Sequence, residues 1–402
     1  MYLNDILLLE YGYYFNILNN FKINNFSFDS KKIKKGDAFI VINSGYKYID
    51  EAINNGCKLV IMPMDIDYQN NNILILKTNN LNNLLINIAK IILKSKKIIK
   101  IAITGSNGKT TTKELISSVL KTKYKVLNSK GNKNNFLGLL DTIFSLRDED
   151  FLVMEMGMNH LGEISHLSKI LKPDIGVITN IGSAHIGNLG SKKNIFKAKM
   201  ELLDGNPNML LFVNGNDSYL KKTKGIKITK KQYDYEPIFQ HLKIDYNLAI
   251  AVLKTLDFTK KEIYTCFNNY EMVNQRMNII YKGSTIIIDD AYNASLESTI
   301  GGLSYLKTYK QDKIVILGDI LEAGKYAKKI HKRINKYLKT LNDTKIYHIG
   351  NYTKHIKGLH FNCKQDLINY LANVDIKNKV IYLKGSRKME LEVIRDNLLL
   401  KF

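Results

Sequence analysis

The stretch "ITGSNGKTTTKEL" (Ile103–Leu115) follows directly on the apolar run "KIIKIA" (97–102). A strand that empties into glycines, then Lys-Thr, then a helix-forming run has the order of a phosphate cradle. Its spacing is unusual. The common phosphate loop places four residues between its first glycine and the Gly-Lys pair. Here Gly105 and Gly108 enclose only Ser106 and Asn107, and Ile103 stands where the first glycine would be. The two glycines still permit a tight turn whose N–H groups converge on phosphate oxygens, and the helix predicted from about Thr110 and Thr111 presents its positive end. In this reading Lys109 reaches the terminal phosphates and the Thr110 hydroxyl ligates Mg²⁺. The competing reading is a glycine turn before a Thr-capped helix. The order of strand, loop and helix favours the phosphate site.

Working outward, short β-branched runs alternate with helical stretches along most of the 402 residues. Strands are predicted at 58–62, 72–77, 100–105, 151–157, 175–182 and 209–215, and again at 285–292, 313–319, 345–350 and 380–386. Near-continuous apolar strands separated by helices indicate an α/β fold with parallel sheets covered on both faces. Ligands of such sheets bind beyond the carboxyl ends of the strands, where most of the polar motifs fall. Three blocks are expected, at 1–90, 91–272 and 273–402.

Composition narrows the class. A hydrophobic fraction of 45% with 24% charged residues is that of an ordinary globular chain. No apolar run reaches the length of a membrane span, and Asp5 and Glu10 interrupt the N-terminal stretch, which has no basic leader. A cytoplasmic enzyme without membrane insertion is expected. Cys57, Cys266 and Cys363 show neither metal nor disulfide spacing and are read as reduced thiols in packed or neutral positions. The net charge of +23 invites a nucleic-acid reading. Its lysines are scattered, however, and no nucleic-acid motif accompanies them, so no nucleic-acid partner is expected. The same field would draw in a polyanionic substrate. Arginine is scarce: only Arg147, Arg276, Arg333, Arg387 and Arg395 occur. In so lysine-rich a chain an arginine marks a place where a planar fork is needed.

Further motifs sit at the predicted strand ends. Glu155 closes the run at 151–155 and would emerge beside the phosphate loop, placed for Mg²⁺, although a Glu there can also serve the next helix. His185 lies in the small-residue loop "TNIGSAHIGNLGS" after the next strand. A lone His is usually structural, but this position faces the same crevice. "NIFKAKMELL" (194–203) carries Lys197 and Lys199, which by themselves read as a solvated helix face.

Taken together, "TGSNGKTTTKE", "GNKNN", "EMGMNHLGEI", "NIGSAH", "AKME", "DDAYNA", "LGDILEAG" and "KGSRKM" occur in order from residue 104 to 389. This set resembles the ATP-dependent Mur ligases of peptidoglycan synthesis, whose phosphate loop has the same compressed form. The resemblance implies a small N-terminal domain that binds a UDP-sugar, a central P-loop-type mononucleotide-binding domain and a C-terminal Rossmann-like domain that closes over ATP. It implies that Gly105 to Thr111, Asn134, Asn135, Arg276 and Asp290 lie at the nucleotide. Thr110, Glu155, His185 and Lys199 would serve a pair of Mg²⁺ ions, with Lys199 carbamylated. Asn293, Lys384 and Arg387 would face the cleft, and Asp29, Ser30 and Lys31 the UDP-sugar end. Some positions depart from the family pattern. Lys31 replaces an Arg, Ile244 an Asn, Ser295 the second Asn of "YNAN", and Lys388 a Gly.

The motifs of the last block are most similar to those of the dipeptide-adding branch. That implies ATP-driven joining of UDP-N-acetylmuramoyl-tripeptide to D-alanyl-D-alanine by a monomer. The terminal carboxylate would form an acyl phosphate, which the amine of the dipeptide then attacks. The alternatives are a sibling that adds the third amino acid, folylpolyglutamate synthase and, more remotely, a nucleic-acid-stimulated ATPase. A GTPase would need Asn-Lys-x-Asp, and "NKNN" (132–135) fails at its fourth position.

Overall fold

The computed structural model describes residues 1–11, 20–131, 133–272 and 275–402. Asn132 of the "GNKNN" segment and the expected boundary at 272/273 fall on or beside positions outside the described residues. Three sheets follow one another along the chain.

The first sheet has the order β1-β2-β3-β4 and is wholly parallel, from β1 (Phe26–Ser27), β2 (Ala38–Ile40), β3 (Leu59–Pro63) and β4 (Leu74–Thr78). The second comprises β5 (Ile99–Thr104), β6 (Val126–Asn128), β7 (Phe151–Glu155), β8 (Ile175–Ile178), β9 (Leu210–Asn214) and β10 (Ile226–Ile228). Its order is β10-β9-β8-β5-β7-β6, again all parallel. β5 therefore lies between β7 and β8, where the winding reverses, and such a switch point opens a crevice at the strand ends. Register completes the placement: Ile103 pairs with Glu155 on one side and Val177 on the other.

Alternation along β5 explains the two cores of this sheet. Ile101 and Ile103 point to a cluster with the helices Lys109–Leu120, Lys243–Lys254 and Lys260–Asn268. Ala102 joins the opposite cluster, continuous with Ala38, Ile40, Leu59 and Ile61 of the first sheet. One apolar layer thus welds the first sheet to the second.

The third sheet is parallel except for one edge strand. It comprises β11 (Asn278–Lys282), β12 (Thr285–Asp289), β13 (Lys313–Gly318), β14 (Thr344–Ile349), β15 (Leu359–Phe361) and β16 (Val380–Lys384), in the order β11-β12-β16-β13-β14-β15. β11 runs antiparallel to β12, with Lys282 opposite Thr285. The two residues between them begin with Gly283 at φ 58°, the backbone a tight hairpin requires. Among the described residues no helix is long and apolar enough to cross a membrane. Cys57 is buried, whereas Cys363 is exposed and caps a helix.

Candidate functional site

The phosphate-loop segment leaves β5 at the switch point. Gly105 has φ 151°, and a Cβ there would stand 1.8 Å from Thr179 Oγ1. Gly108, at φ 81°, is the N-cap of the helix Lys109–Leu120. Both positions need glycine for backbone conformation and for space. The loop is tied to the end of β8: Ser106 N–H donates to Asn180 O at 3.0 Å and Asn107 N–H to Asn180 Oδ1 at 3.1 Å. These two N–H groups hold the loop's shape. The amides of the helix's first turn, Lys109 to Thr111, remain to meet an anion, as at any helix start.

Thr110 and Glu155 meet as the strand ends dictate. Thr110 Oγ1 donates to Glu155 Oε2 at 2.5 Å, and Asn134 Nδ2 donates to Oε1 at 2.9 Å. Burial would lift this carboxyl, but Lys109, Arg276 and the two hydrogen bonds outweigh it and hold it below the ordinary range. Glu155 is therefore an ionised carboxylate, 3% exposed. Lys109 folds back on its own loop, with Nζ 3.0 Å from Gly105 O, and burial lowers its pKa against the pull of Glu155. Asn135 spends its side chain on capping the helix Phe136–Phe144 through Gly138 N–H.

His185 adopts the left-handed conformation (φ 59°), which directs its ring across the cleft. Its Nδ1 lies 3.3 Å from Glu322 Oε2 on the C-terminal domain. Burial, only partly opposed by Glu322, brings the imidazole down to about 4, so it is neutral. Lys199, in the helix Lys192–Met200, is 2% exposed, while Lys197 on the same helix is exposed. Among the described residues Lys199 forms no ion pair. Burial and the nearby Lys109 push its pKa well down, against Glu155 and Glu322. An unpaired buried ammonium costs several kcal/mol (~), which is reason enough for this amine to be neutral or modified.

The C-terminal domain completes the cleft. Ser295 Oγ donates to Asn107 Oδ1 at 2.8 Å, and Glu297 Oε2 accepts from Ser183 N–H and Oγ–H at 3.0 and 2.6 Å. Asn293 Nδ2 donates to Glu322 Oε1 at 3.2 Å. The Arg276 guanidinium lies 4.1 Å over the Tyr292 ring, with Nε buried and without a hydrogen-bond partner among the described residues. Arg387 binds Gln275 and Glu392.

Two expected cleft residues are spent on each other. Lys384 Nζ sits 2.7 Å from Asp290 Oδ2, which also accepts from Tyr382 OH at 3.0 Å, while Met277 N–H donates to Oδ1. Both are buried. Asp29, Ser30 and Lys31 lie in the first domain. Asp29 caps the turn Ser30–Lys32, buried Ser30 donates to Glu51 at 2.5 Å, and Lys31 is exposed.

Asn180, Glu297 and Glu322 were not singled out from the sequence. Asn180 follows β8 as Glu155 closes β7, a positional signal that could have found it. Glu322 lies within "LGDILEAG", but only the fold brings it to His185.

Among the described residues no three His, Cys, Asp or Glu side chains converge as a ready-made metal cage. The donor set still fits Mg²⁺, which binds through one or two carboxylates plus substrate phosphates and seldom in an all-protein cage. Glu155, ionised and joined to a hydroxyl-bearing Thr110 at the phosphate loop, is such a carboxylate.

Residues 103–274 match the family described as Mur ligase middle domain. A UDP-N-acetylmuramoyl-tripeptide–D-alanyl-D-alanine ligase of Rickettsia prowazekii is 31% identical over 94% of this chain and 96% of its own length. The enzyme of that name from Bacillus subtilis is 28% identical over 92% of each. A crystal structure of MurF from Acinetobacter baumannii shares the fold, with a TM-score of 0.87, 24% identity and coverage of 99% and 98%. MurF ligase from Thermotoga maritima, in complex with ADP, has a TM-score of 0.82 at 26% identity over 94% of this chain and 98% of that one. On 31% identity over 94% of its length to such a ligase, and on the match of its middle residues, the chain belongs to the Mur ligase family.

Proposed function

We propose that the protein joins D-alanyl-D-alanine to UDP-N-acetylmuramoyl-tripeptide in an ATP-driven reaction. The observation that carries this reading is the meeting of Thr110 with ionised Glu155 at the mouth of a Gly-x-x-Gly-Lys-Thr loop. The names of the full-length relatives support it. In this reading residues 1–90 hold the UDP-sugar through Asp29, Ser30 and Lys31, residues 91–272 hold ATP, and residues 273–402 close over it.

The tripeptide carboxylate attacks the γ-phosphorus, the bond to ADP breaks, and an acyl phosphate forms. The dipeptide amine then attacks the acyl carbon, a C–N bond forms, and phosphate leaves with the C–O electron pair. No protein nucleophile is required. Lys109 and the helix N-terminus offset charge on the transferring group. Thr110 and Glu155 would hold one Mg²⁺ and His185 and Lys199 a second, and bound there the cations would neutralise phosphate charge. A free ammonium at Lys199 would repel a cation, whereas its carbamate supplies oxygen ligands. Arg276 and Asn293, brought in by the last domain, line the closed cleft, and closure keeps water from the acyl phosphate.

The test is Lys109→Ala, assayed for ADP release in the presence of the UDP-tripeptide. ADP formation is expected to be lost, with the melting temperature unchanged. Undiminished turnover in the folded variant would refute the phosphate-loop assignment.

A further inference from the structure

The helix Lys243–Lys254 packs against the start of the helix Lys109–Leu120 and carries a carboxyl group that the reaction as described does not use. Asp245 is 3% exposed, and among the described residues its buried Oδ1 has no hydrogen-bond partner. Among the described residues it enters no ion pair. Its carboxyl faces the phosphate loop: a Cβ placed on Gly108 would lie 2.1 Å from Oδ1 and 2.5 Å from both Cγ and Oδ2. The N-terminus of a 12-residue helix, with its free amides, thus has an unpartnered buried acid aimed at it. Leaving such a group unsatisfied costs about 1–3 kcal/mol, so a ligand that satisfies it gains affinity.

The neighbours do not offer an internal partner. Ile244, the adjacent residue, is buried and apolar. Asn247 directs its Nδ2 to Thr229 O and Lys230 O at 2.8 and 3.1 Å, fixing that loop. Burial lifts the Asp245 carboxyl to about 8, with Lys230 pulling the other way. At neutral pH it is largely uncharged and does not repel a triphosphate bound next to it. Phosphate oxygens already have the helix amides and Lys109 as partners. The groups of a nucleotide still in need of an acceptor are the O–H and N–H donors of its nucleoside half.

Resting on the reading of this loop as an ATP site, we propose that Asp245 is a nucleotide-specificity residue that accepts a hydrogen bond from the nucleoside moiety of ATP. It acts in binding and leaves the phosphoryl chemistry to the loop.

Calorimetric titration of the full chain with Mg²⁺-ATP and Mg²⁺-tripolyphosphate separates the two halves of the ligand. Asp245→Ala is expected to weaken ATP by about 10-fold, as for loss of one buried hydrogen bond, and to leave tripolyphosphate unchanged. Equal weakening of both ligands, or an unchanged ATP affinity, would overturn the proposal. Two analogues locate the donor: 2′-deoxyATP lacks a ribose hydroxyl, and purine riboside triphosphate lacks the base amine. One of them should bind wild type more weakly than ATP, and the variant should erase that difference. If neither difference changes in the variant, the proposal fails. Asp245→Leu keeps the branched side-chain shape without an acceptor and serves where the alanine variant does not fold; it must narrow the same difference. A wild-type protein that binds neither ATP nor tripolyphosphate would refute the loop reading itself, a result distinct from every one above.

Discussion

Thr110 Oγ1 donates a 2.5 Å hydrogen bond to Glu155 Oε2, joining the first turn of one helix to the last residue of a neighbouring strand. The contact aligns a hydroxyl and a carboxylate at one edge of the phosphate loop, where a hard cation would be bound. Glu155→Gln keeps the shape and removes the charge. Ligase turnover is expected to fall by about 100-fold or more, in line with loss of an electrostatic contact to the transition state, and added Mg²⁺ should recover part of it. A steady-state titration in Mg²⁺ checks this, and an unaltered rate and Mg²⁺ requirement would contradict it.

Lys199 is buried and Lys197 exposed on the same helix, which turns about 100° per residue. Lys199→Ala is expected to lose most ligase activity and to regain some with short carboxylic acids at high concentration, since these would stand in for the oxygens of the proposed carbamate. Lys197→Ala should stay near wild type. Full activity of Lys199→Ala, or carboxylate rescue at position 197, would count against the assignment.

The Arg276 guanidinium stacks on Tyr292 at 4.1 Å, and its Nε has no hydrogen-bond partner among the described residues. A lysine offers neither the plane nor the fork. Arg276→Lys is therefore expected to raise KM for ATP or lower kcat, by roughly 10-fold for about 1.4 kcal/mol of lost interaction. Rates measured across ATP concentration decide it, and wild-type values of both constants would show that a point charge suffices.

Acid should weaken the fold through buried histidines. Burial, with Lys384 and Lys230, brings His241 down to about 4, and burial with His360 does the same for His348. In the unfolded chain both return to about 6.5. Between these values the unfolded state binds more protons, so the stability they contribute is complete above about 6.5 and is lost as pH falls toward about 4. Urea midpoints at pH 7.5 and 5 should differ, and His348→Phe should shrink the difference. A midpoint independent of pH over this range would contradict the prediction.

The strands that build the cleft were legible because β5, β7 and β8 are compact apolar runs that end in, or run directly into, polar residues. β1, β6, β10 and β15 have two or three residues each, too few for a period-two signal. β11 is long enough, but its antiparallel pairing hung on the turn at Gly283. Glu155 and Thr110 could be found because strand ends converge in a parallel sheet. That Asp290 and Lys384 pair with each other could not be read from spacing. Each reads as a charge near a ligand, and only the register of β12 beside β16 brings them together and buries them as a pair. Asp245 likewise looks like an ordinary helix acid until the packing shows what it faces.

The most direct measurement mixes the protein with ATP, Mg²⁺ and UDP-N-acetylmuramoyl-tripeptide, with and without D-alanyl-D-alanine, following ADP and product mass together. With the dipeptide present, one ADP should form for each UDP-N-acetylmuramoyl-pentapeptide, and without it ADP release should be far slower. Ligation of a different amine in preference to the dipeptide, or ADP release indifferent to both substrates, would contradict the proposed reaction.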